Sequence, residues 1–517
     1  MKTMMTIAVA ACALPLFAKI ELGTPFSDGV VLQRGREVPV WGKADPGKKV
    51  TVEFAGNEAS AIAGKCGCWK VMLPSMEASK EDRVMRVTEI EDGWFGSVTD
   101  EVEIKDVLVG EVWMCAGQSN TDCPIWNSST RYRDGWGAMT LTSVNKPFVR
   151  LVKTPSVASV KPRYGYKVQW MKMTPAMYDD FLKGTRMPSA MGYYYALELA
   201  NALDIPIGLV DSSWGGTNID AWTPPSGYAK VPELADVRDM PRLSEAEFEI
   251  AHSNGVYRGK RIYGKWIQQP SMLWNGMVAA YAPMACRGFI WYQGCHNASE
   301  YQRYCSKMHA LYNGWATEFK NPELKLYFVQ LTPWGNAIIP NIQMAQAQFD
   351  AEEPNAGMAV INDVGNLTDI HPNDKRTVAK RLSLHALKRD YGWDSVRDNS
   401  PTLKSWKIDN GKFVLSFNDA EGWYVYNYEK GNPSVGFELA GTNGIWKAAK
   451  LVNVKMITNR HTKKPEFSGL VQGKELIVAS DEVKEPVRLR YLHSSPWFGS
   501  IYSDRCLPLG AFAIEKK

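Results

Sequence analysis

Residues 110–124 read GEVWMCAGQSNTDCP. An apolar run, Val112 to Ala116, stops abruptly at Gly117-Gln118-Ser119-Asn120, where a small hydroxyl sits between two amide side chains. An apolar strand without alternation is covered on both faces, as in parallel sheets packed between helices. In an open parallel sheet the loops at the carboxyl ends of the strands emerge along one edge, where ligands bind. This stretch therefore predicts both a fold and the edge that carries a site. Alone, Ser119 is an ordinary turn or cap serine. A catalytic serine needs a histidine, an acid and oxyanion donors from other loops.

Downstream, strand-like runs alternate with helical ones: AMGYYYALELANAL (190–203), IPIGLVDSS (205–213), RGFIWYQG (287–294), QRYCSKMHALYNGWATEF (302–319), LKLYFVQL (324–331), MAQAQFDAEE (344–353), MAVINDVG (358–365) and KRTVAKRLSLHALKRDYG (375–392). The pattern predicts an α/β region with a parallel sheet over about 106–394. Its last helix starts at Asn373 or Asp374 and places Val378, Leu382 and Ala386 on one stripe. The charged segment 228–265 reads as an insertion. Residues 19–105 read as an N-terminal β domain: in KKVTVEF, Val50, Val52 and Phe54 alternate with Thr51 and Glu53, and Asp45-Pro46-Gly47 marks a turn. Alternation returns in a C-terminal β region, 395–517, with Phe413, Leu415 and Phe417 on one face and Val487, Leu489 and Tyr491 on another.

The bulk composition narrows the function classes. The 517 residues exceed one ordinary core. A net charge of +5 with both signs mixed, and no basic block, argues against a nucleic-acid partner. The start, MKTMMTIAVAACALPLFAKIELG, has Lys2, a short apolar run and small residues. This reads as a signal peptide over 1–18 and an exported protein, periplasmic or secreted. Cleavage is expected at Ala18, with Ala13 as the other site. Val9-Ala10-Ala11-Cys12 has the form of a lipoprotein box. No later segment reads as a membrane span. Eight cysteines follow Cys12, and export permits disulfides without fixing their pairing. Cys66-Gly67-Cys68 has the wrong spacing for a common zinc knuckle, and no metal is expected.

Polar punctuation follows four of the predicted strands: Gln118-Ser119-Asn120, Trp214-Gly215-Gly216-Thr217-Asn218, Cys295-His296-Asn297 and Asp369-Ile370-His371-Pro372. Brought to one edge, these supply the parts for acyl transfer. Ser119 is the candidate nucleophile, His371 its general base and Asp369 the orienting carboxylate. The chain order Ser, Asp, His is one that the triad uses. The N–H of Ser119, that of Gly215 or Gly216, and the Asn297 amide are candidate oxyanion donors. Gln118, Trp214, Gln293 and His296 are candidate substrate contacts. Each has a plain reading as turn, cap or loop; four together at strand ends favour catalysis.

GEVWMCAGQSN, IGLVDSSWGGTNIDAW, IWYQGCHNA and DIHPNDKRTVAKRLSLHAL resemble the sialate O-acetylesterase family of SGNH hydrolases. FSDGVVLQRGREVPVWGKADPGKKVTV resembles its N-terminal β domain, and VGFELAG with VRLRYLHSSPWFGSIYSDRCLPLGAF its C-terminal region. The resemblance implies a three-layer SGNH fold with flanking β-sandwich-like regions. It also implies a serine esterase that removes O-acetyl groups from sugars, either 9-O-acetylated sialic acid or plant polysaccharides such as xylan and xyloglucan, without a cofactor. Two positions depart from the pattern. The third motif often reads Gln-Gly-Glu-Ser-Asn, where this chain has Gln293-Gly294-Cys295-His296-Asn297. The wider pattern puts Asp three residues before His, where this chain has Thr368; Asp369 is two before. A glycan-binding protein without turnover, or an esterase for longer acyl chains, are the competing readings. A Cys295–His296 nucleophile pair is disfavoured, because adjacent loop residues rarely face each other.

Overall fold

The computed structural model describes residues 20–91, 97–125, 137–254, 256–257, 260–261, 265–334, 338–426, 436–458, 465–493 and 499–516. The expected leader, 1–18, lies outside the described residues. The spine of the molecule is one strand, β1 (Ser97–Gly117). With it in one sheet lie β2 (Lys146–Lys153), β3 (Met171–Met173), β4 (Ile207–Ser213), β5 (Gly288–Tyr292), β6 (Lys325–Val329) and β7 (Ala356–Ala359), in the order β3-β2-β4-β1-β5-β6-β7. All neighbours along this path are parallel except the edge pair β3–β2.

Covered strands need helices, and aromatic contacts show where they lie. Alternate residues of a strand point to opposite faces. Trp113 of β1 and Tyr327 of β6 meet Tyr195 of α2 (Ala190–Leu203) and His385 of α5 (Lys375–Arg389). On the other face, Phe289 of β5 stacks on Trp315 of α3 (Tyr301–Glu318), and Phe328 of β6 meets Phe349 of α4 (Ile339–Glu352). α1 is the single turn Ser119–Asp122 directly after β1. Of the two expected caps of α5, Asp374 takes the position, its carboxylate accepting from Thr377 N at 2.8 Å. Val378, Leu382 and Ala386 are all buried.

The expected boundary at 105/106 falls inside β1. Up to Val109 the strand pairs antiparallel with Ser79–Glu91; beyond that point it runs in the parallel sheet. At the change, Asp106 takes a positive φ of 56°, a conformation Asp tolerates better than most residues. Arg150 and Lys172 hold its carboxylate at 2.7 Å each. One apolar cluster runs from Val50, Val52 and Phe54 through the parallel sheet to Leu382. The C-terminal strands have a separate core of Phe413, Leu415, Phe437, Leu476, Leu489 and Tyr491. Val487, expected on that face, is only half-buried and precedes the strand Arg488–Tyr491. Within 228–265, Tyr228, Val231, Leu234 and Val237 bury against Ala310 of α3, so the start of this segment is built into the domain.

Candidate active site

β1 ends at Gly117, whose φ of 141° and close walls exclude a side chain: a Cβ there would stand 2.5 Å from both Tyr292 O and Thr121 Oγ1. The chain therefore turns sharply and presents Ser119 as the first residue of α1. Ser119 is half-buried, and His371 Nε2 stands 2.9 Å from its Oγ. Asp369 Oδ1 lies 3.3 Å from His371 Nδ1 and accepts the His371 backbone N–H at 2.9 Å. The acid is thus locked by a local turn as well as facing the ring. Thr368, three residues before His371, bonds Asn366 instead.

Asn120 ties the serine turn to the histidine loop. Its Nδ2 donates to Ile370 O at 3.0 Å, and its Oδ1 accepts from the buried Lys375 at 2.6 Å. Gln118 ties the same turn to the third loop, its Oε1 accepting from the N–H groups of Gly294 (3.2 Å) and His296 (3.4 Å). Gln293 is fully buried; it donates to Thr217 O and Asn297 Oδ1 and accepts from Tyr304 Oη. Gln293, expected at the substrate, thus spends both ends of its amide inside the protein, and the Gln118 oxygen holds the serine turn against the third loop.

The expected oxyanion donors fall unevenly. Ser119 N–H, at the first position of α1, has no acceptor within that turn. A Cβ on Gly215 would lie 3.3 Å from Ser119 Cβ, whereas Gly216 is exposed and faces open space. Gly215 is thus the glycine that abuts the serine, and its N–H stands 3.4 Å from Asp122 Oδ2. The buried Asn297 amide is fixed in orientation: Oδ1 accepts from Ile219 N and Gln293 Nε2, and Nδ2 donates to Glu300. Trp214 is half-buried beside Gly117, to whose carbonyl its N–H donates at 3.1 Å. His296 is exposed; desolvation lowers its pKa and Glu300 pulls the other way. Burial pushes the Cys295 thiol up to about 12, which leaves little thiolate for a nucleophile.

A charged network behind the serine was not foreseen. Lys153, at the end of β2, donates to Asp122 (2.8 Å), Asp211 (2.9 Å) and Ser213 (2.7 Å), and Arg186 also reaches Asp122 at 2.9 Å. Burial raises the Asp211 pKa, with Lys153 opposing. Lys153 is the last residue of β2, Asp211 lies within β4 and Asp122 is the last residue of α1.

This arrangement can pass a proton from Ser119 Oγ to His371 Nε2 and hold the resulting imidazolium beside a carboxylate. Residues 109–382 match the family model for carbohydrate esterases of the sialic acid-specific acetylesterase type. Sialate O-acetylesterase of Rattus norvegicus is 29% identical over 413 residues, 71% of this chain and 73% of the relative. The Homo sapiens sialate O-acetylesterase is 26% identical over 419 residues, 75% of this chain and 74% of the relative. In structure, a carbohydrate acetylesterase from Xanthomonas citri superposes with a TM-score of 0.76 at 28% identity, covering 96% of this chain and all of that one. With the family model spanning just over half of its residues, the chain belongs to the sialic acid-specific acetylesterase family of carbohydrate esterases and is a carboxylic-ester hydrolase.

Proposed function

We propose that this esterase cleaves O-acetyl groups from sugars through Ser119. The single observation that carries the mechanism is the 2.9 Å approach of His371 Nε2 to Ser119 Oγ, with Asp369 on the far side of the ring. As Oγ attacks the acetyl carbonyl, its proton passes to Nε2, and Asp369 favours the imidazolium. The tetrahedral oxyanion forms beside Ser119 N–H, with Gly215 N–H, turned from Asp122, and the second hydrogen of Asn297 Nδ2 as the further donors. Collapse breaks the bond to the sugar oxygen, which takes the proton from His371 as it leaves, and an acetyl-enzyme remains. Water, deprotonated by His371, then attacks the acetyl carbon, and His371 returns the proton to Ser119 Oγ as acetate leaves. Every step uses groups of this chain.

The family match and the carbohydrate acetylesterase neighbour support an acetylated sugar as substrate. The names of the mammalian relatives favour O-acetylated sialic acid; acetylated xylan or xyloglucan is the other class. The parallel sheet between two helix pairs supports an SGNH-hydrolase-like three-layer domain over 106–394, with β-sandwich-like regions at 19–105 and 395–517. We further propose export of the mature protein, on the strength of residues 1–18.

Acetate release from an aryl acetate, 9-O-acetyl sialic acid, acetylated xylan and acetylated xyloglucan, by the parent and Ser119→Ala, tests the proposal. Release that vanishes in the variant supports it, and the preferred substrate identifies the sugar. A folded parent that releases no acetate, or that prefers an octanoyl ester, overturns it.

A further inference from the structure

A second cluster of reactive donor atoms lies on the helices rather than at the strand ends. Cys305 and His309 are four residues apart on α3, so both project from one side of it. Glu352 is the last residue of α4, which packs alongside. His309 Nε2 lies 2.9 Å from Glu352 Oε2, and Cys305 Sγ lies 3.4 Å from the same oxygen. The three donor atoms all fall within 4.8 Å of one another.

We propose that Cys305 Sγ, His309 Nε2 and Glu352 Oε2 form a three-ligand site for a divalent transition ion, Zn(II) by its donor set, with water in the fourth position. Thiolate, imidazole and carboxylate are the three protein ligands of tetrahedral zinc. Zinc bond lengths of ~2.0–2.3 Å put the donors of a tetrahedral site roughly 3.3–3.6 Å apart. The observed separations come within a few tenths of an ångström of that along two edges. The third edge has only to close inside its 4.8 Å bound.

The surroundings hold the ligands in place. Gln348 donates to Glu352 Oε1 at 2.8 Å, which leaves Oε2 to face the sulfur and the imidazole. Phe349 packs edge-on against the His309 ring, centroids 4.8 Å apart. Access is open from one side: the Cys305 side is buried, while the side chains of His309 and Glu352 are 25% and 46% exposed. Binding is a ligand exchange without redox change. The Cys305 thiol proton leaves to solvent, the sulfur binds as thiolate, and neutral His309 binds through Nε2 with its proton on Nδ1. The hydrogen bonds of the three residues run to one another and to Gln348, so the ion clamps α3 to α4 and stands outside ester cleavage.

The test uses the full chain, reduced, with Cys66→Ser and Cys68→Ser in the background, because that exposed pair offers thiols of its own. Co(II) is the probe and Zn(II) the competitor. The expected result is one equivalent of Co(II) bound, with a thiolate-to-cobalt charge-transfer band that Zn(II) abolishes. Cys305→Ser removes the band, and His309→Ala weakens binding by about tenfold or more. Zn(II) raises Tm in a saturable way that His309→Ala loses. If Cys305→Ser fails to fold, the partly exposed His309→Ala decides. No band, or a band and affinity unchanged in His309→Ala, overturns the proposal.

Discussion

Among the described residues are two histidine–aspartate pairs, one of them closed by a hydrogen bond, His385 Nδ1 to Asp398. His371 Nδ1 lies 3.3 Å from Asp369 in the loop after β7, and His385 Nδ1 lies 3.1 Å from Asp398 at the end of the fold's last long helix. By distance and burial the second pair is the better one: His385 is fully buried and stacks on Tyr327. The other ring nitrogen separates them. His371 Nε2 meets the hydroxyl of Ser119, whereas His385 Nε2 is enclosed without a hydrogen-bond partner among the described residues. An acid beside a histidine is a device for orienting a ring, used equally for packing and for catalysis. What reaches the far nitrogen, and whether it stands at the carboxyl edge of the sheet, decides which use applies.

The largest expected effect lies on the Ser119 side. Ser119→Ala and His371→Ala should each lower kcat for acetate release by about 10⁴–10⁶-fold, and the double variant by little more, because the two act as one unit. Additive losses measured by initial rates would break the comparison at its centre. Asp369→Asn should cost less, about 10²–10⁴-fold, since the amide keeps the local turn but no longer favours the imidazolium. Thr368→Ala should leave kcat within about threefold, its hydroxyl being spent on Asn366. Equal losses in the two variants would show that Asp369 only shapes the loop. Asn297→Ala should fall at about 10²–10³-fold, the usual worth of one oxyanion donor. A smaller loss would assign its amide to Glu300 and the loop alone.

The legible parts of the site are those set by strand ends. Ser119, Gly215, Asn297 and His371 follow apolar runs that read as covered strands, and of these Gly215 and His371 stand against Ser119. Packing roles were less visible. Gln293 has the same amide that a sugar would want, and only the positions of Thr217, Asn297 and Tyr304 reveal that it is already engaged. Lys153, Asp122 and Asp211 carry no mark in the sequence, because burial of an ion network has no signature in a single chain. The change of partner within β1 was hidden for a related reason: both halves alternate or run apolar like any strand, and Asp106 is the lone local mark of the turn in backbone direction. The Cys305–His309 spacing was in plain view, but its third member comes from another helix.

The smallest effect on activity, and the clearest contrast, belongs to His385 and Asp398. Burial pushes the Asp398 carboxyl up, but His385 and Arg389 outweigh it and hold the pKa at about 2, below its usual 3.8. A depressed carboxyl stabilises the fold while it is ionised. That stability is present above pH ~4 and drains away as pH falls from about 4 through about 2. Asp398→Asn should therefore lower the urea midpoint at neutral pH and flatten its fall across that acid window, while kcat at neutral pH changes by less than about threefold. His385→Gln should do the same, since it removes the ring that bonds Asp398. A large loss of kcat with the fold intact would mean that the buried pair is coupled to the catalytic one through α5, whose first residue, Lys375, already holds Asn120 of the serine turn. An unchanged acid profile would mean that Arg389 alone, 2.6 Å from Asp398, supplies the stabilising charge.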